Sequence, residues 1–146
     1  CFYELPSAEL QEECIRMASR ALKKNGHIYV DNNNYMGGWD DGPFGKELTI
    51  LAGEDRQGTY GRSSMQHVSF DKKNNVLTIR RKWYVREPDG EESETEYTTL
   101  KHPVTGAEVE SWLNAHNFEI LQKFGDRKGG QYTNKSDRAI FWAKKK

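Results

Sequence analysis

The chain has 146 residues, 35% hydrophobic and 30% charged, with 22 basic side chains balanced by 22 acidic ones. That length allows one domain with a sizeable core, and the composition is too apolar for a disordered chain. Zero net charge removes the electrostatic case for nucleic acid or an anionic membrane surface, and Lys144-Lys145-Lys146 reads as a solvated end.

The first residues, Cys1-Phe2-Tyr3, are an apolar-looking run and a poor natural start for a domain, which points to truncation. Pro6-Ser7 opens a helix, with Ser7 as N-cap and Glu9, Glu12 and Glu13 near the positive end of the dipole. Leu10, Cys14, Met17, Ala18, Ala21 and Leu22 recur at helical spacing and predict one buried stripe. Lys23 and Lys24 suit the last turn, and Gly26 suits a left-handed stop. A short apolar strand over 27–31 follows at once and closes on Asp31. Such a junction belongs to a parallel sheet, and α/β domains place ligands at the carboxyl ends of parallel strands. Only one full unit of this kind is present. The chain therefore reads as the second half of a larger α/β domain, with strand 27–31 flanked by same-direction strands it does not encode. Residues 32–45 form a loop rich in turn formers that carries Tyr35 and Trp39.

The middle of the chain changes character. Runs 46–52, 59–70, 76–85 and 92–100 are β-rich and joined by short Gly/Asn/Asp connections, which predicts antiparallel hairpins. Leu77, Ile79, Trp83 and Val85 share one face of their run, interrupted by Arg81, while Arg80, Lys82 and Tyr84 share the other. Thr105-Gly106-Ala107-Glu108 is a capping box for a helix to Asn117. Strand 118–123, a polar loop 125–137 and strand 139–143 complete the chain, with Trp112 and Trp142 assigned to the core.

There are two cysteines, and Cys14 reads as a small buried hydrophobe. No disulfide framework, signal peptide or transmembrane run is visible, which points to a reducing, cytoplasmic setting. No phosphate-binding loop, dinucleotide fingerprint or nucleophile elbow occurs, and the four histidines lack metal-ligand spacing. An enzyme built from this chain needs chemistry that asks little of its own nucleophiles. Transfer from an activated cofactor fits, because catalysis there is largely alignment and desolvation.

Cys1-Phe2-Tyr3-Glu4-Leu5-Pro6, then a helix, then Leu22-Lys23-Lys24-Asn25-Gly26 running to Asp31, resembles a stretch of class I S-adenosylmethionine-dependent methyltransferases. It matches the part from the end of the fourth strand through the fifth. Helix 105–116, Asn117-Phe118, Gly125-Asp126 and Ala139–Lys145 resemble that family's last helix and its antiparallel sixth and seventh strands. The glycine and sarcosine N-methyltransferases look most similar, because Asp31-Asn32-Asn33-Asn34-Tyr35-Met36 falls where they carry Asp-x-Arg-Asn-Tyr-Asp.

The resemblance implies an α/β fold, namely the C-terminal half of a Rossmann-like class I methyltransferase fold with an inserted antiparallel β-sheet. Residues 1–45 and 101–146 would belong to the α/β core and 46–100 to the inserted, substrate-covering sheet. It implies S-adenosylmethionine as cofactor, with Cys1 and Leu5 against it, and a small-molecule methyl acceptor held by Glu4, Asn33, Asn34, Tyr35, Arg81, Trp83 and Tyr97. The family's glycine-rich loop and ribose-binding acid would lie before Cys1, so these residues alone should bind the cofactor poorly. Asn33 stands where the subgroup has a carboxylate-gripping arginine and Glu4 where it has a histidine, which favours a cationic or amine-bearing acceptor over glycine. Two other readings stand beside this one. The first is a non-catalytic module whose sheet forms an aromatic pocket from Trp39, Trp83 and Tyr97. The second is a half-domain that completes its sheet with another chain or a second copy.

Overall fold

A computed structural model describes residues 2–37 and 44–146. The chain divides into two compact units, one of Cys1–Gly37 with His102–Lys146 and one of Gly38–Lys101.

In the first unit, residues Phe2–Glu4 make one 3-10 turn and helix α1 spans Ala8–Ala21. The Ser7 hydroxyl accepts from the Leu10 N–H at 3.3 Å and so satisfies one of the helix's orphan donors. At the other end the left-handed residue is Asn25 (φ 65°) rather than Gly26. Gly26 is required for a different reason: a Cβ there would stand 2.9 Å from the Lys23 carbonyl oxygen.

Helix α1 does not bury the stripe its apolar residues predict. The buried residues are Gln11, Ile15 and Ser19, whereas Leu10 (48% exposed), Met17 (50%) and Cys14 face outward. The polar pair is buried because both side chains have hydrogen-bond partners there. The Gln11 amide donates to the carbonyls of His102 (3.1 Å) and Phe2 (3.4 Å), and the Ser19 hydroxyl accepts from Lys145 Nζ at 2.9 Å.

Strand β1 (His27–Asn33), strands β2 to β5 of the second unit, helix α2 (Gly106–Ala115), strand β6 (Phe118–Phe124) and strand β7 (Arg138–Lys145) follow in chain order. The first unit's sheet has the order β1-β7-β6, with both pairings antiparallel. β1 is therefore an edge strand among the described residues, and the parallel neighbour expected for it is not one of them. Thr105 and Glu108 close the capping box on α2, and Asn117 (φ 64°) ends the turn after it. Ile15, Val30, Val104, Val109, Leu113, Phe118 and Phe141 form the core between the two helices and one sheet face. Trp112 belongs to this core, but Trp142 does not: it is 44% exposed on the opposite face of β7, where its ring meets Tyr29 and His27 edge-on.

The second unit is a four-stranded antiparallel meander, in the order β2 (Glu47–Glu54), β3 (Tyr60–Asp71), β4 (Val76–Arg86), β5 (Glu92–Lys101). Its two faces differ sharply. On one, Lys82 faces Glu47, Glu94 and Glu96, and Arg80 pairs with Glu96, a solvated charge ladder. On the other, Leu77 and Ile79 are buried while Trp83 and Tyr97 are exposed. Among the described residues no helix is long and apolar enough to cross a membrane.

Candidate functional site

The carboxyl end of β1 gathers the polar groups of the first unit. Alternation turns Val30 and Asn32 inward, and Asp31 and Asn33 to the opposite face, where Asn33 lies across from Arg138 in the β1–β7 register. Arg138 Nε and Nη2 both donate to Asp31 Oδ1, at 2.7 and 2.5 Å, and Arg127 Nε donates to Oδ2 at 2.9 Å. The third Arg138 donor, Nη1, reaches Asn33 Oδ1 at 2.7 Å, and Asn33 Nδ2 donates to the Tyr3 hydroxyl at 3.1 Å. This chain of bonds ties the strand end to the 3-10 turn that carries Glu4 and leads to Leu5. The turn is pinned from behind as well, since the His102 N–H donates to the Leu5 carbonyl at 3.0 Å.

Burial pushes the Asp31 carboxyl up, but the Arg138 and Arg127 guanidiniums outweigh this and hold it below the ordinary carboxylate value of 3.8. A depressed folded pKa stabilises above the unfolded value and is lost as pH falls through the folded one. Asp31→Asn is therefore expected to cost about 1–2 kcal/mol at neutral pH, a partly screened version of removing one member of a buried pair. The gap between wild type and variant in denaturation midpoint should close as pH drops below 3.8. A gap independent of pH would remove the ion pair from the explanation.

Of the residues read from sequence, Glu4 is exposed and Leu5 half-buried on the turn, and Asn33 sits in the bonded chain just described. Asn34 is buried: its Oδ1 accepts the Gly106 N–H at 2.9 Å and its Nδ2 donates to the Ser136 carbonyl at 3.0 Å. That amide tethers the first turn of α2. Tyr35 follows it, half-buried, with its N–H on the Val104 carbonyl. Cys1 lies outside the described residues, as does Trp39. Asn32 Oδ1 is buried without a hydrogen-bond partner among the described residues. Sequence reading singled out neither Tyr3 nor Arg138. The only available signal for Arg138, an arginine opening the last strand, acquires meaning once the register sets it opposite Asn33.

An apolar groove of about 300 Å³ runs along the unpaired edge of β1, lined by Phe2, Tyr3, Ile15, Ala18, Ile28 and Val30 among others. In the second unit, Arg81 lies opposite Tyr97 in the β4–β5 register, and Trp83 Nε1 is 3.4 Å from the Tyr97 hydroxyl. The three residues thus share the less charged face of the meander. Beside Trp83 a depression of about 460 Å³ is floored by Gly53, Gly61 and Ser63. Among the described residues no group of three or more His, Cys, Asp or Glu is placed to hold a metal ion.

No family model and no curated protein matches the sequence. Solved structures do. A S-adenosylmethionine-dependent methyltransferase from Clostridium acetobutylicum ATCC 824 superposes on 99% of this chain and 54% of its own, with a TM-score of 0.73 at 12% identity. The fold is that of the class I methyltransferases. DesVI from Streptomyces venezuelae gives a TM-score of 0.71 at 13% identity, again over 99% of this chain and 54% of its own. CalS10, an amino pentose methyltransferase from Micromonospora echinaspora involved in calicheamicin biosynthesis, solved with S-adenosylmethionine bound, gives 0.64 at 14% identity over 99% and 54%. The chain spans about half the length of these structures.

Proposed function

We propose that the protein transfers a methyl group from S-adenosylmethionine to an amine nitrogen of a small molecule. The observation that carries this reading is the superposition of 99% of the chain on methyltransferases of one fold. The open edge of β1, the apolar groove beside it and the donorless buried Asn32 oxygen support a further part of the proposal. In it, a segment outside these residues lays a parallel strand in the groove and completes the sheet.

The residues present suit the cofactor as one wall of its site. Leu5 is half-buried and apolar, and Glu4 is an exposed acid on the same turn, a pairing that fits a cationic sulfonium on an otherwise apolar adenosyl group. When bound, S-adenosylmethionine supplies an electrophilic methyl group whose carbon–sulfur bond breaks with the electron pair staying on sulfur. The acceptor nitrogen gives its lone pair to the new carbon–nitrogen bond and then loses a proton to solvent. The chain's residues hold that nitrogen in line and keep water out, which is where most of the rate comes from. Glu4 favours an amine-bearing acceptor, and Asn33 in place of a cation disfavours one gripped by its carboxylate. The likeness to the glycine and sarcosine N-methyltransferases rests on sequence motifs, and the acceptor's amine character is what this proposal keeps from it.

Calorimetry on the full-length protein with S-adenosylmethionine and S-adenosylhomocysteine tests the reading. Saturable heat with both is expected. No heat with either overturns it in favour of a non-catalytic module.

A further inference from the structure

Gln11 is wholly buried on the inner side of α1, at a position where a helix ordinarily places an apolar residue. Its amide has one orientation. Nε2 faces the carbonyl oxygens of His102 (3.1 Å) and Phe2 (3.4 Å), which can only accept, so both amide protons are committed. Oε1 then faces His102 Nδ1 at 2.9 Å, and that ring nitrogen carries the proton it donates. The Phe2 carbonyl held by Gln11 also accepts the Leu5 N–H at 3.2 Å, the bond that closes the 3-10 turn. The His102 N–H in turn donates to the Leu5 carbonyl at 3.0 Å. One side chain thus ties both ends of the Phe2–Leu5 turn, Phe2 directly and Leu5 through the backbone of His102.

We propose that Gln11 is a positioning residue for the cofactor, setting the Phe2–Leu5 turn, in part through His102, before S-adenosylmethionine arrives. The inference rests on the methyl-transfer reading above, in which Leu5 and Glu4 of that turn form one wall of the site. An amide costs free energy to bury, and a methionine would fill the same space without needing partners. What the amide adds is direction. A single 3-10 turn has weak hydrogen-bond geometry and one closing bond of its own, so left alone it samples several orientations. Fixing it in advance removes an ordering cost that the arriving cofactor would otherwise meet. That cost falls equally on the bound ground state and the transition state, so Gln11 acts on affinity and leaves the chemical step alone.

The test uses the full-length protein and compares Gln11→Met and Gln11→Glu with two changes elsewhere in the same unit, Ser19→Ala and Phe118→Leu. Gln11→Met removes every bond of the amide at similar length, and Gln11→Glu keeps the shape but loses the protons given to the two carbonyls. Ser19 bonds to Lys145, and Phe118 lies across from Lys145 in the β6–β7 register, toward the amino end of β1 and away from the turn. Both Gln11 variants are expected to weaken S-adenosylhomocysteine binding about tenfold by calorimetry and to raise the S-adenosylmethionine KM by the same factor, with kcat within about twofold. In the cofactor-free protein their Leu5 amide should lose about tenfold in protection from hydrogen exchange. Ser19→Ala and Phe118→Leu are expected to lower the denaturation midpoint and to leave cofactor affinity within about twofold. Where a variant is only partly folded, the S-adenosylhomocysteine concentration that raises its melting temperature reports the same affinity. Unchanged affinity in both Gln11 variants, or equal weakening in the Ser19 and Phe118 variants, overturns the inference and leaves methyl transfer standing. A wild type that binds neither S-adenosylmethionine nor S-adenosylhomocysteine overturns the methyl-transfer reading and this inference with it.

Discussion

Truncating Phe141 to alanine is expected to cost about 3–5 kcal/mol. Phe141 is fully buried on β7, the central strand, with Val30 of β1 across from it on one side and Lys123 of β6 on the other. Its ring packs 6.3 Å from that of Tyr132 and belongs to the same cluster as Ile15, Val109, Leu113 and Phe118. Side chains from two helices and a central strand cannot all move in to fill the space left, so the cavity penalty adds to the lost transfer free energy. Against a whole-protein stability of about 5–15 kcal/mol, that loss is a third or more of the total over most of the range. The measurement is the urea midpoint at unchanged slope. A loss under about 1 kcal/mol would mean that the site collapses freely and that the core is not held by this strand.

Asn34→Ala is expected to cost about 2–4 kcal/mol, because a buried backbone N–H and a partly buried carbonyl lose their partners at once. The Gly106 N–H is the first donor of α2 and has no intrahelical acceptor. The Ser136 carbonyl belongs to the loop leading into β7. Gly106 is itself confined, since a Cβ there would meet the Tyr132 hydroxyl at 2.3 Å and Ala139 at 3.1 Å, so the helix start cannot shift to find water. The loss should appear in the denaturation midpoint. An unchanged midpoint with a raised acceptor KM would return Asn34 to the substrate contacts expected from its place beside Asn33.

Local patterns carried most of the fold. Ser7, the Thr105–Glu108 box and the Gly/Asn/Asp turns of the meander act over a few residues, and the structure places helix starts and hairpins where those signals stand. The buried face of α1 was not legible, because the partners that justify burying Gln11 and Ser19 are a carbonyl 91 positions away at His102 and the side chain of Lys145. Periodicity weighs apolar residues only, and on this helix the apolar stripe is turned toward the groove side, with Cys14 and Ala18 among the groove's lining. Sequence reading picked out the strand end, and Asn33 with it, as the candidate site. It could not show that Asn33 is oriented by Arg138 and Asp31, which lie 107 positions apart. Trp142 reads as core from its apolar neighbours, yet strict alternation along β7 sends Phe141 inward and Trp142 out.

The two sheets differ in how their strands find each other. Every strand of the meander pairs with its neighbour in sequence across a short turn, whereas β1 must wait for β7, with the whole of Gly38–Lys101 looped between them. Short-range pairings close early and cheaply, long-range ones late. On the ribosome, then, the meander can assemble while His27–Asn33 is still without its antiparallel mate, which the eight-residue strand Arg138–Lys145 supplies. A translational pause or premature stop before Arg138 would leave a folded β-meander attached to an unclosed, chaperone-attracting segment.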